Sequence, residues 1–379
     1  MKNDFLEYYG KHNISPVKQD VSNIEIHYER RKKLYRQLGI PTIAFRNAEM
    51  LEVGPGGGYN TLAFFHWHVK HVDLVEANPK GREDMQQLFV QQGISEEKYE
   101  IFPDKIEDYK TDKKYDIIIA EGFLPLIYNQ QEVINKLQEL VNENGIIVVT
   151  CSEDICFFIE IMKRLVGIII AADIPEYDQK VEYLADFFKP QLAQLRGVSR
   201  SPKDWVQDQI LSPTIVNEAE LTMLQAINYF GENFDVLGCS PNLFTDYSWY
   251  KDIWCDYKED YREQFTRKRF SLLMANMQEV ILPVEAADIL AKHFKEIKRL
   301  EADYEKTFDV DKVNDIIKEM DSMDSLLQQN FEAAFINVFH EIKEALLCLL
   351  QEKKVDMNKY PCFFSAFGRT QQYISFVKR

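Results

Sequence analysis

The chain has 379 residues, 46% of them apolar and 13% aromatic, and carries a formal charge of −16. That apolar content can bury a core and excludes wholesale disorder, and the length suits two or three domains or one domain with large insertions. The negative charge argues against nucleic-acid substrates, because binding a phosphate backbone relies on basic surface that releases counterions.

The amino-terminal stretch, residues 1–45, reads as helical and polar. Tyr28, Leu34, Tyr35 and Leu38 recur at helical spacing, and Pro41 stops the pattern. The basic run Arg30-Arg31-Lys32-Lys33 on this helix reads as a solvated face. MKNDFLEYYGKHN lacks the apolar run of a signal peptide.

Strand and helix then alternate. Met50–Val53 is predicted as a strand, followed by a glycine cluster and a helix over Thr61–His68. Val72–Glu76 is a second strand, and Asn78-Pro79 opens a helix to about Gln92. Tyr99–Phe102 and Asp116–Ala120 are further strands, Gln130–Val141 a helix, and Gly145–Cys151 a strand. The unbroken β-branched run in that last strand suits burial on both faces of a parallel sheet. Repeated β-α units predict a doubly wound, mostly parallel α/β domain.

Residues 153–230 read as helical, with breaks at Pro175, Pro190, Pro202 and Pro213. The greasy stretch Leu165–Ala172 is too short to span a bilayer. Phe234–Gly238 is a strand, 250–357 is strongly helical, and Gln372–Val377 is a terminal strand. The cysteines Cys151, Cys156, Cys239, Cys255, Cys348 and Cys362 form no C-x-x-C pair and no zinc spacing, so no metal is expected and a reducing cytoplasm is.

The feature that carries chemistry is LEVGPGGGYN, residues 51–60, between a strand and a helix. Glycines there allow positive φ and a close approach of backbone to a ligand, and the N–H groups at a helix start suit a polar group. A dinucleotide fold requires G-x-G-x-x-G. Its third glycine would fall at Tyr59 in one register and Thr61 in the other, so the pattern fails in both. What fits is E-x-G-x-G-x-G, with Glu52 ahead of Gly54, Gly56 and Gly58.

Here the sequence resembles the class I S-adenosylmethionine (SAM)-dependent methyltransferases, over about residues 46–151 and the strands near 234 and 372. The resemblance implies a seven-stranded Rossmann-like methyltransferase sheet, with SAM as the cofactor. It places Glu52, Gly54, Pro55, Gly56 and Gly58 at the cofactor. Glu76 and Ala77 at the end of the second strand would meet the ribose, with Glu76 accepting both hydroxyls. Asp104, Lys105 and Ile106 after the third strand would lie beside the adenine. Glu121 and Gly122 after the fourth would face the methyl donor and the substrate. Glu121 is the most economical general base, and His27 is a second candidate if its helix folds over the cofactor. His66, His68 and His71 read as a helix face and its exit loop.

A segmentation follows: a helical lid over 1–45, a SAM-binding domain over 46–245 plus 360–379 with a helical cap at 171–230, and a helical insertion at 250–358. The lid carries Tyr8-Tyr9-Gly10-Lys11-His12-Asn13, and the cap Ser199-Arg200-Ser201-Pro202-Lys203-Asp204-Trp205. In the family the last two strands form a hairpin, so the insertion is a departure. It reads as a substrate cap, an arm for homodimerisation or a partner-binding surface. Ser240-Pro241-Asn242 falls at a sheet end, and Trp249-Tyr250 reads as core or, alternatively, as a pair that stacks on a sugar or ring. The amino-terminal stretch and the Phe-Gly-Arg-Thr-Gln-Gln-Tyr ending also resemble methyltransferases of bacterial surface-glycan assembly. That implies a small hydroxylated acceptor, such as a sugar or glycan precursor, and O-methylation without membrane insertion. The competing readings are a protein or peptide methyltransferase and a non-catalytic SAM-binding regulatory protein.

Overall fold

The computed structural model describes residues 4–12, 21–194, 201–212, 221–252 and 261–379. Asn13, Ser199, Arg200, Pro213 and Cys255, singled out above, lie outside the described residues, as does the side chain of Tyr9. In chain order the elements are α1 (Asp4–Lys11), α2 (Ile24–Gln37), β1 (Glu49–Val53), α3 (Thr61–His66), β2 (His71–Val75), α4 (Pro79–Gln91), β3 (Tyr99–Phe102), β4 (Tyr115–Ala120), α5 (Gln130–Leu140) and β5 (Val141–Cys151). There follow α6 (Phe158–Ile170), α7 (Tyr177–Leu192), α8 (Pro202–Trp205), α9 (Met223–Phe230) and β6 (Phe234–Ser240). The remainder is α10 (Tyr261–Lys268), α11 (Val284–Thr307), α12 (Val310–Asn330), α13 (Ala333–Glu352), α14 (Pro361–Ser365) and β7 (Gln372–Lys378).

The chain forms two compact units. One comprises Met1–Ser152, Ala219–Thr245 and Gln371–Arg379, and the other Glu153–Glu218 and Asp246–Thr370. Residues 153–218, expected within or as a cap on the sheet domain, thus cluster with the large insertion instead. Helix α9, expected inside the cap, belongs to the sheet unit. The reason is apolar: Phe158, Ile159, Met162 and Leu165 of α6 share one core with Phe294, Ile316, Phe339 and Leu346 of α11, α12 and α13.

The sheet unit is a seven-stranded sheet in the order β3-β2-β1-β4-β5-β7-β6. Strands β1 to β5 are parallel, and β7 runs antiparallel to both β5 and β6. The winding starts at β1, moves outward through β2 and β3, then returns to the other side of β1 for β4. That reversal places a topological switch point at the carboxyl ends of β1 and β4. Helices on both faces explain why Ile117, Ile118, Ile119 and Ala120 are all buried in succession. Helix α2 joins this layer directly. Tyr35 and Leu38 are fully buried with Met50 and Phe64 in the sheet's core, so this part of the expected lid is built into the fold.

The helical unit is held by packing and by buried ion pairs. Arg164 is fully buried, with Nε 3.2 Å from Glu301 and Nη2 2.5 Å from Glu305, and it donates to the carbonyls of Ile210 and Ser212. Lys163 donates to the Ala366 carbonyl at 2.5 Å beneath the ring of Phe367. Pro190 lies inside α7 rather than breaking it. Trp249 and Tyr250, expected in the core, are 57% and 70% exposed, a correction to the sequence reading. The described cysteines are free, and no described helix is long and apolar enough to cross a membrane.

The glycine turn after β1 is closely packed. Gly58 has φ +76°, and a Cβ there would lie 2.7 Å from Met85 Cγ and 2.9 Å from Phe89 Cε1. Both neighbours are fully buried and have no room to retreat. Gly58→Ala combines overpacking with an unfavourable φ, and should destabilise the sheet unit by about 2–4 kcal/mol. Hydrogen exchange of the β1 and β2 amides measures this, and unchanged protection would refute it.

Candidate functional site

Backbone hydrogen bonds bring the carboxyl ends of β1, β2 and β3 to one level. Gly54 N–H donates to the Val75 carbonyl at 2.9 Å, and Glu76 N–H to the Phe102 carbonyl at 3.0 Å. The loop between β1 and α3 turns through Gly54, Gly56 and Gly58, all with positive φ. A Cβ on Gly54 would strike the Phe123 ring at 2.9 Å. Pro55 closes the turn by accepting from Gly58 N–H at 3.0 Å.

Glu76 leaves β2 straight into this turn. Its carboxylate is buried and accepts from Gly56 N–H and Asn78 N–H, each at 2.7 Å. Burial raises its pKa, against the pull of those two backbone donors. Each carboxylate oxygen thus uses one lone pair on backbone and keeps another for a hydroxyl. Asn78 caps α4, its Oδ1 accepting from Lys80 N–H at 2.9 Å, with Pro79 at the first helical position. Arg82 donates to the carbonyls of Glu76 and Ala77 and so fixes the chain beyond the carboxylate. Asp104 lies half-buried in the turn after β3, beside an exposed Lys105 and a buried Ile106.

Glu52 points into the fold instead. It is buried and accepts from Thr61 Oγ1 at 2.7 Å, tying β1 to the first turn of α3. Burial pushes its pKa up to about 8, so it is mostly neutral at pH 7.

Glu121 does not stand free as a base would. Arg31 grips it bidentately, Nη1 to Oε2 at 2.9 Å and Nη2 to Oε1 at 2.6 Å. Tyr35 Oη donates to Oε1 at 2.8 Å and Asn60 Nδ2 to Oε2 at 3.2 Å. Burial works against the charge on Arg31, but Glu121 outweighs it and holds the guanidinium protonated. Arg31 is therefore no part of a solvated face, unlike its exposed neighbours Arg30 and Lys33. His27, one turn earlier, is buried too. It bonds to the Tyr59 backbone, and its pKa falls to about 4, first through burial and then through Arg31. Gly122, with φ +86°, donates to Thr150 Oγ1 at 3.1 Å.

Fold geometry thus gathers the glycine turn, Glu76 and Glu121 along one edge, with His27 and Arg31 over it. The other histidines go elsewhere. His66 stacks on Tyr28 with ring centroids 4.0 Å apart. His71 sits with Asp73 and Glu100 at the opposite end of β2, where Lys113 Nζ already contributes a cation 2.9 Å from Asp73. Arg31 and Tyr35 were missed as site residues. The available signal was His27, Arg31 and Tyr35 at intervals of four, one helix face bearing a cation among rings.

No family model and no curated protein matches this chain. Among solved structures it is similar to a SAM-dependent methyltransferase from Clostridium acetobutylicum, at 15% identity over 40% of this chain and 58% of that one, with a TM-score of 0.30. It is also similar to the N-methyltransferase NodS from Bradyrhizobium japonicum, in complex with S-adenosyl-L-homocysteine, at 18% identity over 33% and 62%, TM-score 0.29. The glycopeptide N-methyltransferase MtfA, complexed with SAM, gives 12% identity over 27% and 47%, TM-score 0.25. The chain spans less than two thirds of each of these proteins.

The state of Glu52 has a measurable consequence. Its carboxyl binds a proton more tightly in the folded protein than in the unfolded one, at about 8 against 4.5. Stability must therefore fall as pH rises between those values, and no further above them. Glu52→Gln removes that contribution. The stability of the variant minus that of the wild type, from urea unfolding, should grow from pH 4.5 to 8 and then level off. A pH-independent difference would refute the assignment.

Proposed function

We propose that this chain is a SAM-dependent methyltransferase acting on a small hydroxylated acceptor. The observation that carries the reading is Glu76, a buried carboxylate at the end of β2, bonded to the glycine turn of β1 beside the switch point. An acid there suits two vicinal ribose hydroxyls, for the reason it does in dinucleotide folds. The failed third glycine at Tyr59 and Thr61 argues against the dinucleotide itself. The group fits this frame. Gly54, Gly56 and Gly58 carry the tight positive-φ turn along the edge, Glu76 and Ala77 would border the ribose, and Asp104, Lys105 and Ile106 the adenine.

When bound, SAM supplies a methyl group on a sulfonium, ready for in-line displacement. The residues of this chain bind and orient. Most of the acceleration in such a transfer can come from holding the reactants in line and excluding water. The four donor contacts on Glu121 make it an anchor for α2 over the edge, a positioning residue rather than the base expected from its place after β4. The acidic charge of the chain favours a small acceptor over a nucleic acid. Resemblance to surface-glycan methyltransferases supports a sugar or glycan precursor and O-methylation.

Calorimetry with SAM, S-adenosylhomocysteine and NAD tests the cofactor. The first two should bind and NAD should not; binding of NAD alone overturns the reading. Glu76→Ala should weaken S-adenosylhomocysteine by roughly 30–100-fold, the equivalent of about 2–3 kcal/mol for charge-assisted bonds to two hydroxyls. A labelled-methyl screen over monosaccharides, sugar nucleotides and peptides then tests the acceptor, with label on peptides alone counting against a sugar.

A further inference from the structure

Two polar atoms on α2 lack partners although they are buried. They are Nε of Arg31 and Nε2 of His27. The residues are 6% and 4% exposed and sit four apart, on one face of the helix. Leaving a buried donor or acceptor unmatched forfeits its hydration with nothing in return. Two such atoms one helical turn apart call for a ligand that satisfies both.

Their chemistry is opposite. Arg31 spends Nη1 and Nη2 on Glu121 and Tyr35, which leaves Nε–H as a donor. The His27 ring bonds to the Tyr59 backbone, a contact that favours the ring N–H form. With Nε2 unpartnered, that bond belongs to Nδ1–H, and Nε2 presents a lone pair. Burial and the neighbouring Arg31 and Arg30 keep the imidazole neutral, against a smaller opposing effect of Glu121. The face thus offers one donor and one acceptor, and Arg31 is already neutralised by Glu121. A ligand bearing both an anion and a cation on adjacent atoms fits without adding net charge to a buried site.

Position narrows the ligand. His27 touches Tyr59 at the end of the glycine turn, and Arg31 touches Glu121 at the end of β4. Glu76 lies two strands away from β4, across β1. At the usual strand spacing that is about 10 Å, the order of the distance from a ribose to the far end of its 5′ substituent. We infer that Arg31 Nε–H and His27 Nε2 form the subsite for the amino-acid end of SAM, Arg31 donating to the α-carboxylate and His27 accepting from the α-ammonium. The inference rests on the SAM reading above and assigns to α2 a part of the cofactor site outside the glycine motif.

The test compares S-adenosylhomocysteine with 5′-methylthioadenosine, which keeps the adenosine and lacks the amino-acid group. Calorimetry on the full chain uses His27→Leu, which removes the acceptor, and Arg31→Lys, which retains a cation for Glu121 but has no Nε–H. Each substitution should weaken S-adenosylhomocysteine at least tenfold and leave methylthioadenosine within threefold of wild type. Equal losses for both ligands, or unchanged S-adenosylhomocysteine binding, would overturn the assignment. A second readout needs no variant: the ¹⁵N resonance of His27 Nε2 in the wild type should move on adding S-adenosylhomocysteine and stay still with methylthioadenosine. Absence of that selective shift also refutes the subsite. If the wild type binds neither ligand, it is the SAM reading beneath it that fails.

Discussion

A parallel sheet whose winding reverses beside its first strand cannot cover both of the neighbouring strand ends with the connections that leave them. The loop after β1 goes to one side and the loop after β4 to the other, and a crevice opens between them. The glycine turn, Glu76, Glu121 and α2 all border that crevice. The glycine turn bounds its β1 side, with Phe123 packed on Gly54 and Met85 and Phe89 on Gly58. Glu76 enters from β2 because Gly54 and Glu76 are locked to the next strand by backbone hydrogen bonds. Glu121 marks the β4 side, and α2 reaches it from the amino-terminal segment.

The Arg31–Glu121 pair shows how the crevice gains a wall. A buried ion pair is weak evidence for stability, since desolvation offsets much of the attraction. Its value here is register. Bidentate geometry, with Tyr35 and Asn60 completing the carboxylate, leaves α2 one rotation and one height relative to β4. His27 is carried to Tyr59 as a result. Glu52 plays a separate part below the surface, where a mostly neutral carboxyl bonded to Thr61 fastens β1 to α3 without a charge to compensate.

Much of the sheet was legible in the sequence because strand and helix differ in apolar period, and the five parallel strands fall within a few residues of expectation. The glycine turn was legible because positive φ selects glycine. What failed were readings that depend on distant partners. Within the basic run only the four-residue spacing of Arg31 from His27 and Tyr35 sets it apart, and its burial is decided by a glutamate 90 residues away. The partners of Glu121 were hidden for the same reason, as its donors come from α2 and from Asn60 ahead of α3. Residues 153–218 looked like part of the sheet domain because they interrupt it, while their apolar face is matched by α11 to α13. Trp249 and Tyr250 show the converse, large rings whose composition suggests burial and whose position in a loop denies it.

The place of β7 has a consequence for how the molecule assembles. It is the last strand along the chain, yet it lies between β5 and β6, and it is the strand that β6 pairs with. Residues 241–371 intervene between those two partners. During synthesis β6 must therefore wait, edge unpaired, until the helical unit has emerged. Closing so long a loop as a free coil is entropically costly and slow. Helices α11, α12 and α13 pack on one another and on α6, all of which precede β7 in the chain, so their core can form before β7 emerges. Once it does, the stretch that must be closed is a folded body rather than a loose chain. On this view the insertion is a step in the folding order of the sheet.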